Sequence, residues 1–207
     1  MRSLGPVVAM IVALAFAGCD LFTTRTPESP DLGSTFVWTP AATPNTLVED
    51  FSGSLQAVDA ANYSRCFVSA QDTAVSGAVQ YSFSPRAGLD QASRSLFDAW
   101  TVQSEQSFLT KLRASLVSNP RLSVTLSNEQ IDQTSSTQAR IAVDYSVLLP
   151  TQTNSTLPSS IAGSLIFQAQ LVTTEQGTKE WRIVSWSDFA GTTSAKTFTD
   201  LKVQLSS

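Results

Sequence analysis

From Leu122 onward the chain is written in a period of two. Leu122, Val124 and Leu126 alternate in "LSVTLS", and Ile141, Val143, Tyr145, Val147 and Leu149 alternate in "RIAVDYSVLLP". Ile161, Leu165, Phe167 and Leu171 share one face of "IAGSLIFQAQLV", opposite Gln168 and Gln170. Successive side chains of a strand point to opposite faces, so each stretch predicts a strand with one apolar and one polar side. "TTEQGTK" reads as a turn into "EWRIVSWSDF", the last long strand. Strands with one polar face build antiparallel sheets, and the apolar face must then be covered by something else.

The cover is written upstream. Thr46 and Glu49 in "TLVE" have capping-box spacing, and Leu47, Phe51, Leu55 and Val58 recur at helical intervals after them. "DAANYSRCF" predicts a short second helix capped by Asp59, with Tyr63 and Phe67 four residues apart on one side. Val79, Tyr81 and Phe83 alternate in "VQYSFS", a strand ended by Pro85. In "WTVQSEQSFLTKLRASLV" a third helix starts at Thr101 or Ser104, aligns Phe108, Leu109, Leu112 and Leu116, and stops at Asn119-Pro120. Helices first and long strands afterwards predict an α+β domain over 46–207, a curved antiparallel sheet wrapped around two to three N-terminal helices.

The first 18 residues have a different logic. After Arg2 no charge occurs until Asp20, and small residues precede Cys19. A spanning helix needs about 20 apolar residues, whereas an export signal needs a basic start, about 7–15 apolar residues and a small-residue cleavage point. Met1 to Gly18 therefore reads as a signal peptide. "FAGC", Phe16 to Cys19, resembles the lipobox of bacterial lipoproteins. That resemblance implies a lipidated Cys19 as the mature N-terminus and a membrane anchor, because two or more acyl chains hold a protein stably on a bilayer. The predicted location is the cell envelope, with the domain outside the cytoplasm. Cys66, the second of two cysteines, is then left without a partner, and its aromatic and aliphatic neighbours in "NYSRCFV" predict a buried core thiol. A nucleophilic role would need an activating base, and the chain has no histidine.

Residues 19–45 carry a run of prolines, serines and threonines, "TTRTPESPDLGSTFVWTPAATPN", without apolar periodicity. They read as a tether reaching on the order of 30 to 80 Å. Phe36, Val37 and Trp38 interrupt it and are expected to dock back on the domain as an extra edge strand, with contact to a partner as the alternative. Charged residues make up only 14% of the chain, with 13 Lys plus Arg against 17 Asp plus Glu. No basic stripe is present to follow a phosphate backbone, so nucleic acid is excluded as a partner. The acids are scattered and histidine is absent, which leaves no expected metal site, and "AGTTSAK" lacks the spacing of a phosphate loop; no cofactor is predicted.

Two helices, a strand, a third helix and long strands ending in "EWRIVSWSDF" resemble the nuclear transport factor 2-like superfamily, the cystatin-like roll. "NYSRCF" and "TFTDLK", Thr197 to Lys202, further resemble envelope lipoproteins built on this roll. The resemblance implies a cone-shaped sheet around a pocket, on a scaffold that serves isomerases, dehydratases, ligand carriers and interaction domains, so fold does not give function. Tyr81, Trp100, Tyr145, Phe167 and Trp186 are the candidate pocket lining, for a small apolar or glycan ligand. The isomerase type needs an Asp base and a Tyr donor. Asp188, two residues after Trp186, with Tyr81 or Tyr145 is the one combination that meets this, against a bland alternative in which Asp188 is a strand-end carboxylate bonded to backbone. The expected role is a binding or assembly module with a small ligand or an envelope protein as partner, and an Asp/Tyr enzyme is the alternative.

Overall fold

The computed structural model describes residues 36–74, 77–118, 120–150, 156–191 and 195–206. The signal peptide, Cys19 and most of the tether lie outside them. Among the described residues, no helix is long and apolar enough to cross a membrane.

The helices form where capping and apolar spacing agree. Helix α1 spans Pro44–Gln56 and begins earlier than the Thr46–Glu49 spacing suggested. Thr43 is the cap, accepting the Thr46 N–H, and Pro44 sits in the first turn, where a missing N–H costs nothing. Leu47, Phe51 and Leu55 are buried, as their spacing requires. Asp59 caps α2 (Ala60–Arg65) by accepting the Asn62 N–H. After short strands β1 (Thr73–Ala74), β2 (Gly77–Ala78) and β3 (Ser82–Ser84) comes α3 (Gln91–Ser95), capped by Asp90. Helix α3 buries none of its side chains, so no apolar period announced it. In α4 (Val102–Ser115) the two candidate start residues act together, Thr101 and Ser104 forming a reciprocal capping box.

Four long strands follow: β4 (Ser123–Ser135), β5 (Gln138–Leu148), β6 (Ser160–Thr173) and β7 (Lys179–Ala190). They pair antiparallel in chain order, β3 runs parallel to β7, and the β1–β2 hairpin joins the far end of β6. A last helix, α5 (Phe198–Ser206), closes the chain and was not predicted. Its apolar residues sit inside, with Phe198 and Leu201 buried.

A register shift between β6 and β7 at Gln168/Ala169 decides what faces the core. Before it on β7, Trp181 and Ile183 are buried; after it, Trp186 and Asp188 are. The extra residue reverses the parity and turns the last two inward. At the same end of β6 the predicted alternation fails: Gln170 is buried and Leu171 only half-buried. Gln170 pairs with Arg182 across the strands, and Arg182 is covered in turn by Trp38, whose ring lies 5.6 Å from the guanidinium. Both faces are therefore buried there.

Phe36 to Pro40 docks on the domain without forming a strand. The Phe36 ring occupies the space a Cβ would take on Gly53 of α1. Trp38 lies 4.3 Å under the Arg65 guanidinium, and the Thr39 N–H donates to Asp50 Oδ1 at 3.5 Å. Val37 points away, 81% exposed. Burial pushes the Asp50 carboxyl up to about 6, the Thr39 N–H opposing the shift.

Candidate functional site

The polar chemistry inside the cone gathers around two carboxylates. Asp188 enters through the β7 shift. Tyr145, facing inward from β5, reaches across the intervening strand β6 and donates its hydroxyl to Asp188 Oδ1 at 2.7 Å. Gly163 of β6, paired with Tyr145, makes this possible, since a Cβ there would lie 2.8 Å from the tyrosine oxygen. Asp188 Oδ2 accepts the Thr199 N–H at 2.8 Å and the Thr199 hydroxyl at 2.6 Å. The Phe198 N–H donates to the Tyr145 oxygen at 3.0 Å. The predicted Asp/Tyr pair thus exists, through Tyr145, and its free valences are taken up by the first turn of α5. Burial, and next the Asp188 charge, push the Tyr145 hydroxyl far above its ordinary value.

The second carboxylate, Glu105 of α4, was not singled out in the sequence. Its Oε1 accepts from Tyr81 (2.6 Å), the Trp100 indole (2.8 Å) and the Lys202 ammonium (2.6 Å), and Oε2 accepts from Tyr63 (3.1 Å). Glu105 and Lys202 are both fully buried. The ammonium also lies 3.7 Å from the centroids of the Phe83 and Trp186 rings. Burial pulls the Lys202 pKa down to about 8, with Glu105 opposing the shift. Burial foremost, and Glu105 next, push the Tyr63 and Tyr81 hydroxyls well up. The sequence marks both charges by their apolar spacing: Glu105 stands at the head of the Phe108, Leu109, Leu112 stripe, and Lys202 is four residues after Phe198.

All five predicted pocket residues, Tyr81, Trp100, Tyr145, Phe167 and Trp186, are buried. Their rings contact each other and their neighbours: Trp186 has Phe167 at 5.5 Å, Phe51 at 5.7 Å, Phe83 at 5.2 Å and Phe198 at 5.0 Å. Tyr81 therefore serves Glu105 rather than Asp188. Cys66 is a buried thiol, its Sγ 3.8 Å from the Asn62 carbonyl, and burial pushes its pKa up, away from reactivity. Asp144 faces outward and accepts from Asn128 (2.7 Å) and Ser164 (2.5 Å), which hold its carboxyl below the usual range.

Chemically, the interior offers a base (Asp188), an acid–base pair (Glu105, Lys202) and three phenols, each already engaged. A groove of about 510 Å³ runs over Phe83, Arg86, Phe97 and Phe189 and reaches Asp188, which is itself only 1% exposed. Arg86 there is committed to Asp200, with Nε and Nη2 donating at 3.1 and 2.7 Å.

No family model matches the chain, and no curated protein matches it in sequence. Solved structures do resemble it. A candidate scytalone dehydratase from Novosphingobium aromaticivorans superposes with a TM-score of 0.50 at 14% identity, over 74% of this chain and 89% of that one. A candidate aromatic ring hydroxylase from the same organism gives 0.48 at 12% identity, covering 76% and 92%. A nuclear transport factor 2-like protein of unknown function in nutrient uptake from Rhodospirillum rubrum gives 0.46 at 14%, covering 71% and 97%. At these identities the likeness is one of fold alone, and the fold is an α+β roll with a curved antiparallel sheet closed over its helices.

Proposed function

We propose that this is a lipid-anchored protein of a bacterial cell envelope, held by an acylated Cys19 and a Pro/Ser/Thr-rich tether, whose roll domain is a binding or assembly module working through its surface. The observation that carries the reading is the occupied cone. A general base must come within hydrogen-bond reach of the proton it takes. Both oxygens of Asp188 are spent on Tyr145 and Thr199, and Glu105 holds four donors. Side chains of α5 stand where a substrate would have to meet them. Support for the anchor is the small-small-cysteine ending of the leader.

One observation favours the enzymatic alternative, an isomerase- or dehydratase-like reaction on the Asp188–Tyr145 pair: the two groups do meet at 2.7 Å. That chemistry would require α5 to withdraw, breaking the Thr199 cap and the buried Lys202–Glu105 contact together. Membrane fractionation of the full chain tests the anchor. Cys19→Ala is expected to move the protein to the soluble fraction, and its retention on membranes would overturn that part of the reading. Soaking the full chain with steroid-like ketones and following substrate proton exchange by NMR tests the alternative. No exchange above buffer is expected, and exchange lost in Asp188→Asn would establish the enzyme.

A further inference from the structure

Around the β6–β7 turn, buried polar groups are not sealed in. Asp72, Thr174, Glu180 and Arg182 are 8%, 5%, 4% and 7% exposed, and all four line one cleft of about 650 Å³. The cleft lies between the β6–β7 turn, α2 and the first turns of α4. Its floor is ordered in advance. Arg182 Nη2 donates to Glu180 Oε2 at 2.6 Å, the Thr178 hydroxyl donates to Glu180 Oε1 at 3.0 Å, and Thr178 and Thr174 share a hydroxyl contact of 2.7 Å. Asp72 Oδ2 accepts the Ser69 N–H at 2.7 Å. Arg182 Nε is buried without a partner. The exposed amides Gln103 and Gln106 of α4 form the opposite wall.

These groups select a chemistry. Hydroxyls and primary amides both donate and accept, so the walls suit a ligand that does the same. An apolar ligand would strip water from the Gln103 and Gln106 amides without replacing its hydrogen bonds, at a cost of about 1–3 kcal/mol for each group. Either charge meets its like: an anion faces Asp72, Glu175 and Glu180, and a cation faces Arg65 and Arg182, the latter already neutralised by Glu180. A cleft of this volume is in the range of small-molecule sites. We propose that it binds a short, uncharged saccharide. The proposal rests on the reading of the domain as a surface-binding module and names its ligand class.

The test uses the full chain in a zwitterionic detergent, with maltotriose, cellotriose and an N-acetylglucosamine trisaccharide as neutral probes. Inorganic phosphate and a glucuronide are the charged ones, and saturation-transfer NMR is the readout. Saturable binding of at least one neutral trisaccharide is expected. The double change Gln103→Ala/Gln106→Ala, on exposed helix positions, should weaken it about tenfold. Gln130→Ala, on the exposed side of β4, should leave it unchanged. Absence of saturable binding up to about 10 mM, preference for the charged probes, or affinity unchanged in the double variant would each overturn the proposal. Fractionation of Cys19→Ala reports separately: release from the membrane with no saccharide bound refutes this inference and leaves the anchored-module reading standing.

Discussion

Lys202→Met is nearly isosteric and removes only the ammonium. In the native interior that ammonium touches Glu105 Oε1 at 2.6 Å and lies over the Phe83 and Trp186 rings at 3.7 Å. Breaking a fully buried pair by deleting one partner costs about 3–5 kcal/mol, because the other charge is stranded. Here Glu105 keeps three neutral donors, Tyr63, Tyr81 and Trp100, which softens the loss. The forfeited cation–π contacts, worth about 2 kcal/mol when desolvated, add to it, and a methionine sulfur against the same rings returns about 1 kcal/mol. Burial opposes the ammonium, holding its pKa at about 8 against 10.5, and this gives back about 3 kcal/mol, so the expected net cost at pH 7 is only about 1 kcal/mol. Urea unfolding followed by tryptophan fluorescence measures it. Adding Glu105→Gln removes the stranded charge and should restore about half of the loss. A single-variant cost above about 3 kcal/mol, or a double variant that costs the sum of the singles, would refute the reasoning.

The remaining expectations follow from the same contacts. Alkaline stability should have a maximum: Lys202, lowered from 10.5 to about 8, sheds its proton in the folded chain first, so stability rises above pH 8. Cys66, raised from 9.0, reverses that slope above pH 9, and Tyr63, Tyr81 and Tyr145, raised from 10.0, steepen the fall above pH 10. At about 1.4 kcal/mol per group per pH unit, urea midpoints should show a gain of about 1 kcal/mol from pH 8 to 9, a plateau, then a loss of about 4 kcal/mol per unit, and a steady decline from pH 8 would contradict it. Gly163→Ala should drive its Cβ into the Phe189 backbone carbonyl of β7 as well as the Tyr145 hydroxyl, so β6 and β7 must part locally; the expected cost is about 3 kcal/mol, with loss of the Phe198 amide protection that the phenol oxygen provides. Gly53→Ala improves a helix by about 1 kcal/mol in isolation but overlaps the Phe36 ring, so it should be neutral to destabilising alone and stabilising in a Phe36→Ala background. Thermal melts of the two variants and their double check that reversal.

Much of this architecture is legible as periodicity. The inward faces of β5 and of most of β6, the caps Asp59 and Thr101, and the stripe on α4 all follow from spacing. Spacing fails where a second surface intervenes: Gln170 and Leu171 exchange roles because Trp38 and Arg182 cover the other side of the sheet there. It fails differently at Glu105 and Lys202, two charges at core positions that a polarity pattern assigns to solvent. Each was legible only relative to its apolar neighbours at three and four residues, and their contact spans a sequence separation no local pattern carries. Tyr145 could be nominated because it alternates inward on β5, and Asp188 because it stands two residues after Trp186, although only the register shift in β7 turns those two inward. Their distance depended on Gly163, an unmarked gap in the strand between them.

Helix α5 closes the cone and takes up its acids, Asp188 through Thr199 and Glu105 through Lys202. Native-state hydrogen exchange at the Phe198 and Thr199 amides tests it directly, since these bond to Tyr145 and Asp188. The account predicts that they exchange only through global unfolding, with the same protection and denaturant dependence as the central amides of β5 and β6. Exchange through a local opening several kcal/mol easier than that would mean the helix leaves the cone in the native state. The interior would then be an accessible pocket with a carboxylate and a phenol in it.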